Sequence, residues 1–198
     1  MNIIREVENT SLDTFEKIKH RTEKKWKTAV VKNLWGNQVQ KDSKWKPGLS
    51  DKEVESFEEA IGFTFPEPLR NFYKTMNGLD KPGIDISGNL NSEPIYKPVF
   101  YSFPEDLELI KTQTNLILEK YQISVTDIKN LKAPFIFPYY GHRFLVFDEN
   151  KQVLSIFGKD IIIWADNLAK AIVNDVFDLN YNEIKSMYTP VKFWLEDI

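Results

Sequence analysis

Cysteine is absent from all 198 residues, which removes disulfides, thiolate zinc sites and thiol nucleophiles together and mildly favours a reducing compartment. Histidine is scarce: His20 and His142 are the two in the chain, with no partner at metal spacing and no zincin pattern. The eight glycines are scattered, so no glycine-rich phosphate loop occurs. No run approaches the roughly 18 apolar residues of a membrane helix; the longest candidate, residues 161–164 (IIIW), is strand-sized. The opening MNIIREVENTSLDTF meets charges before any long apolar run. A signal peptide is therefore not expected, and the cytoplasm is the expected location.

What the chain does hold is core material. Hydrophobic residues make up 42%, aromatic residues 14% and charged residues 28%, a globular composition with bulk for a sizeable interior. The length suits one domain, or one domain with an added segment. The net charge of -3 is unevenly spread: residues 1–48 carry +5, residues 49–110 carry -7 and residues 111–198 carry -1.

Spacing and capping chemistry outline the elements. Thr10 or Ser11 is placed to cap a first helix, its hydroxyl accepting from a first-turn amide. Leu12, Phe15, Ile18, Trp26, Ala29, Val30 and Leu34 recur near helical spacing, with lysines and arginines between them. Residues 36–48 are polar, contain Pro47 and read as a loop that Trp45 pins to the body. Ser50 and Glu53 make a capping box, ahead of a helix with Val54, Phe57 and Ile61 inward and Gly62 as its stop. Pro66 or Pro68 starts the next helix. Leu69, Phe72, Tyr73 and Met76 are its buried stripe and Asn77-Gly78 its left-handed end. A short strand is expected around residues 84–86. Ser102 and Glu105 suggest a second capping box, for a helix carrying Leu107, Ile110, Ile117 and Tyr121.

The period then changes. Residues 135–138, 143–147, 153–157 and 161–164 are short β-rich runs, and tight turns between the last three require an antiparallel meander. Asp166 is placed to cap a final helix bearing Leu168, Ala169, Ile172, Val173 and Val176, and the apolar tail 190–194 is expected to dock back. Val54, Phe57, Leu69, Phe72, Met76, Phe144, Val146 and Ile162 are the residues expected to share one core.

The stretch LSDKEVESFEEAIGFTFPEPLRNFYKTMNG, residues 49–78, closely resembles the signature of the SUKH superfamily. That family joins bacterial immunity proteins to Smi–Knr type regulators of fungal cell-wall synthesis. The matching pieces are an acidic helix bearing Phe57, a Gly62-x-x-x-Pro66 link and a second helix ending in Asn77-Gly78. FPYYGHRFLVF and VLSIFGKDIIIWADNLAKAIVNDVF are similar to the family's sheet and closing helix, and Trp45 and Phe193-Trp194 fit as well. The resemblance covers roughly residues 45–195. It implies an α+β fold, a single domain with helices packed on one face of a mostly antiparallel sheet. Residues 45–198 would form that domain, with residues 1–44 a basic helix and loop packed on it. The helix around 107–121 fits less well and reads as an addition.

Function follows from the resemblance as an expectation. It implies a non-catalytic protein-binding module, foremost an immunity protein neutralising a bacterial toxin. A regulatory or scaffold protein is the alternative, and a small carboxylate-dependent hydrolase the third reading. No catalytic residue, metal ligand or cofactor is assigned. His142, beside Arg143 at a strand entry, suits a structural hydrogen bond, and Glu58 and Glu59 point in different directions on their helix. Lys17, Lys19, Arg21, Lys24, Lys25 and Lys27 beside Trp26 fit a phosphate-binding stripe. Against that, Glu16 and Glu23 interrupt it and the pI is about 5.6, so a solvated helix face is expected, and neither nucleic acid nor membrane is. Many toxins met by such proteins are nucleases with basic clefts, so the expected contact surface is acidic: Glu55, Glu58, Glu59, Asp80 and Asp85. Tyr139, Tyr140 and Trp164 are its candidate aromatic anchors. The competing reading places Tyr140 and Trp164 in the core and makes the acids merely solubilising.

Overall fold

Short polar side chains set where the helices begin. The Ser11 hydroxyl accepts from the Thr14 amide, and Ser50 and Glu53 satisfy each other's backbone amides reciprocally. Ser124 and Asp127 do the same further on, in an S-x-x-D box that opens the helix Val125–Lys129. Asn167, and not Asp166, caps the last helix: its Oδ1 accepts from the Lys170 amide at 2.8 Å. Asp166 instead pairs with the Lys170 ammonium at 2.9 Å.

The computed structural model describes residues 7–28, 36–86, 95–179 and 191–195. Their order is α1 (Leu12–Trp26), β1 (Gly36–Gln38), β2 (Trp45–Pro47), α2 (Asp51–Ile61), α3 (Glu67–Thr75), β3 (Met76–Leu79), β4 (Gly83–Ile86), β5 (Ile95–Lys97), α4 (Leu107–Lys120), α5 (Val125–Lys129), β6 (Ile136–Tyr140), β7 (Arg143–Val146), β8 (Val153–Phe157), β9 (Asp160–Ala165) and α6 (Leu168–Phe177). This is an α+β fold carrying an N-terminal helix. Ala29, Val30, Leu34 and Pro190 lie outside the described residues.

The late strands form the expected antiparallel meander, in the order β6-β7-β8-β9. Phe144, Leu145 and Val146 are consecutive and all buried, so both faces of this sheet are covered. Phe137 meets Phe57 of α2 and Tyr73 of α3, and Tyr139 meets Phe72 of α3. α4 packs against β6, and Trp194 of the tail donates its indole N–H to the Pro134 carbonyl at 3.2 Å. Seven of the eight expected core residues are at most 1% exposed. Ile162, at 37%, is the exception: strand alternation on β9 turns Ile163 inward and Ile162 out.

Three local expectations change. Residues 36–48 are not all loop, because they supply β1 and β2, which pair with β4 and β3. α3 stops at Thr75, and Met76 opens β3 while staying buried. Ser102 is served by Asp106 in place of Glu105, with its amide and hydroxyl both donating to Asp106 Oδ2 at 2.8 and 2.7 Å.

Asn77-Gly78 therefore lies within β3, and it ties two sheets together. The Asn77 amide group bonds both the carbonyl and the amide of Phe103, at 2.6 and 2.8 Å. Gly78 has φ +73°, and a Cβ there would lie 2.6 Å from Ser102 Cβ, so only glycine fits both the conformation and the approach. Residues 99–101 in turn lie along β6, with Phe100 bridged to Tyr140 and the Tyr101 amide donating to the Tyr139 carbonyl at 3.2 Å.

α1 is built into this body. Phe15, Ile18 and Trp26 are buried, Trp26 packs on Trp45, and the Trp45 indole donates to Thr22 at 2.8 Å. Lys19 donates to the Thr75 carbonyl at 3.0 Å and Lys25 to that of Val176. Those carbonyls end α3 and α6, where helices leave acceptors unpaired and the dipole is negative. Part of the basic stripe thus stabilises helix ends.

Candidate functional site

The expected acidic surface divides. Glu55 and Glu59 are exposed one turn apart on α2. Glu58 beside them is 12% exposed at its side chain and already committed. It accepts the Phe65 amide at 2.7 Å and grips the Arg70 guanidinium with both oxygens at 2.8 Å. Its charge closes the Gly62–Pro66 link between α2 and α3. Asp85 pairs with Lys97 at 2.6 Å. Asp80 accepts the Lys44 amide at 2.8 Å and stands on the rim of a cavity of about 230 Å³ shared with Lys46, Glu105 and Asp106.

The aromatic candidates divide too. Tyr139 is fully buried and donates its hydroxyl to Asp175 Oδ2 at 2.8 Å. Tyr140 is buried against the Phe100 ring, 4.5 Å between centroids. Both are core residues, since a covered ring offers a partner no area. Trp164 is half-buried, with the Arg143 guanidinium 3.6 Å above its ring.

That guanidinium is the centre of a cluster that spacing did not reveal. Its Nε donates to Asp175 Oδ1 at 3.0 Å and its Nη1 to Ser155 Oγ at 2.6 Å, while Nη1 also faces His142 Nε2. The Arg143 side chain is 11% exposed and that of Asp175 1%. Burial pushes the Asp175 carboxyl up to about 6, although Arg143, Tyr139 and Trp164 all favour its charge. Burial, then Arg143 and Lys97, hold His142 down to about 4. The imidazole is thus neutral at pH 7 and serves as an acceptor. Arg143 and Asp175 are 32 positions apart. The one available sign was a charge on the apolar face of α6, three residues after Ile172.

Residues 48–182 match the SMI1 / KNR4 family (SUKH-1). The chain belongs to this family. No curated protein matches it. The SMI1 / KNR4 span opens just before α2 and closes after α6, so α1, β1 and β2 precede it. Its signature is accounted for by folding: Ser50 and Glu53 cap α2, Gly62 ends it at φ +84°, and Phe57 meets Phe65, Tyr73, Phe103 and Phe137. Membership points to an immunity or regulatory module of the kind that binds protein partners. Among the described residues, no helix is long and apolar enough to cross a membrane, and no group of His, Asp and Glu is placed to hold a metal ion.

Proposed function

We propose that this SMI1 / KNR4 family member is a non-catalytic binding module, and specifically an immunity protein that neutralises a bacterial toxin in the cytoplasm. The family match over residues 48–182 carries the reading. Glu55 and Glu59 support an acidic contact surface, because both are exposed on α2 and, among the described residues, neither is in a salt bridge. Such a surface suits a basic cleft, as in a nuclease domain, and raises association rate more than final affinity. Glu58 belongs to the fold, and Asp80, Asp85 and Trp164 are secondary members of the surface. A regulatory scaffold is the second reading, since the same family supports it.

Capture of partners from the native host, with mass spectrometry, tests the choice. The expected prey is a toxin whose lethality on co-expression is relieved by this chain. Reversing Glu55 and Glu59 to Lys should slow association at low salt. Capture of an endogenous regulator, with no protection against any co-encoded toxin, would replace the immunity reading with the scaffold reading.

A further inference from the structure

We propose that the Arg143 cluster is an acid-operated latch on β9: proton uptake by Asp175 loosens the guanidinium and with it the Trp164 indole, while the rest of the fold stays closed. Arg143 is held from four sides, by Asp175 on α6, Ser155 on β8, His142 in the β6–β7 turn and the Trp164 ring beneath it. Of these four, Asp175 alone can carry a negative charge. The Trp164 ring lies 3.6 Å from the same guanidinium that Asp175 holds at 3.0 Å, so the cation couples the carboxylate to the indole.

Among the described residues, the other charges near the cluster offer no replacement. Tyr139 and Tyr140 face Asp175 from β6, and burial raises the hydroxyls of both. α3 contributes the Phe72 ring against Tyr139, and Lys25 of α1 sits on the carbonyl of Val176 next door. His142 is faced by Arg143, by Lys97 of β5 and by Asp85 of β4, and Asp85 is already tied to Lys97 at 2.6 Å. Neutralising Asp175 therefore removes the ion pair and leaves a weaker bond in which the guanidinium alone is charged. His142 cannot compensate, because as an imidazolium it would be a further cation facing Arg143.

The raised carboxyl sets where this happens, near pH 6 and above the ordinary carboxylate range. The sign keeps the event local. A carboxyl raised by folding binds its proton more tightly in the native state, so between its unfolded value of 3.8 and about 6 falling pH stabilises the fold through this group. What loosens is the edge of β9, beside the exposed Ile162 and next to Phe157, which is 74% exposed. A partner contacting Trp164 would meet a differently ordered surface in mild acid.

The test is a nitrogen-15 NMR titration from pH 7.5 to 5, following the Trp164 indole N–H (assigned with Trp164→Phe) and the Arg143 Nε–H. Both should shift together with one midpoint near 6, while core amides such as Phe57 and Leu69 stay fixed. In Asp175→Asn the indole should sit at its acid position throughout; His142→Gln should retain the transition. The Asp175 carboxyl carbon, followed by carbon-13 in the unmodified protein, supplies the midpoint should Asp175→Asn fail to fold. An indole signal that does not move, that moves with the core amides, or that titrates away from the Asp175 midpoint overturns the latch.

Discussion

Replacing Arg143 by methionine keeps an apolar stem in place and deletes the charge. Asp175, 1% exposed at its side chain, then loses the cation 3.0 Å from its Oδ1, and Trp164 loses the guanidinium over its ring. Breaking a buried pair by removing one partner costs about 3–5 kcal/mol, because the other charge is left uncompensated. Against a total stability of about 5–15 kcal/mol, the variant should still fold at 25 °C, with a much lower denaturation midpoint. The penalty should depend on pH. Without Arg143 the carboxyl rises further above its unfolded value, and each added unit is worth about 1.4 kcal/mol between the two protonation states. Since the native state then binds the proton more tightly, the deficit should shrink as pH falls from 7.5 to 5. The double change Arg143→Met with Asp175→Leu should recover most of the loss, as apolar replacement of a buried pair is often neutral or better. Urea denaturation followed by far-ultraviolet circular dichroism reads all of this without relying on Trp164 itself. A cost under about 1 kcal/mol at pH 7.5, or one unchanged by pH and by the Asp175 substitution, would refute the buried-pair argument.

Gly78→Ala should be far more damaging than Gly62→Ala. Both positions have positive φ, but a Cβ at Gly78 meets Ser102 at 2.6 Å and one at Gly62 meets nothing. The shared conformational strain is about 1–2 kcal/mol, and overpacking at Gly78 adds about 1–3, a gap readable in thermal midpoints. Ser50→Ala should lose about 0.5–2 kcal/mol and leave partner binding intact; lower affinity at unchanged stability would assign Ser50 to an interface. Leu69→Ala or Phe72→Ala, both fully buried, should cost about 2–5 kcal/mol by denaturation, and a cost below 1 would show that the site relaxes to fill the cavity.

Local chemistry made much of this protein legible in one dimension. The Ser50–Glu53 box, the Gly62 stop, the inward stripe through Leu69 and Phe72 and the meander 143–165 each depend on residues within a few positions of one another. Caps, turns and burial periodicity act at that range, so spacing suffices to read them. Tertiary structure decided whatever depends on partners distant in the chain. Lys19 and Lys25 read as solvated until α3 and α6 brought their carbonyl ends to α1. Glu58 read as surface until the chain beyond Gly62 turned back and set Arg70 against it. Tyr139 read as a possible anchor until α6 covered it with Asp175. The same helix gave Arg143 its only carboxylate among the four groups that hold it, and no pattern in the strand announces that pairing. A charge's role is set by its partner and its distance from water, and both are properties of the folded chain.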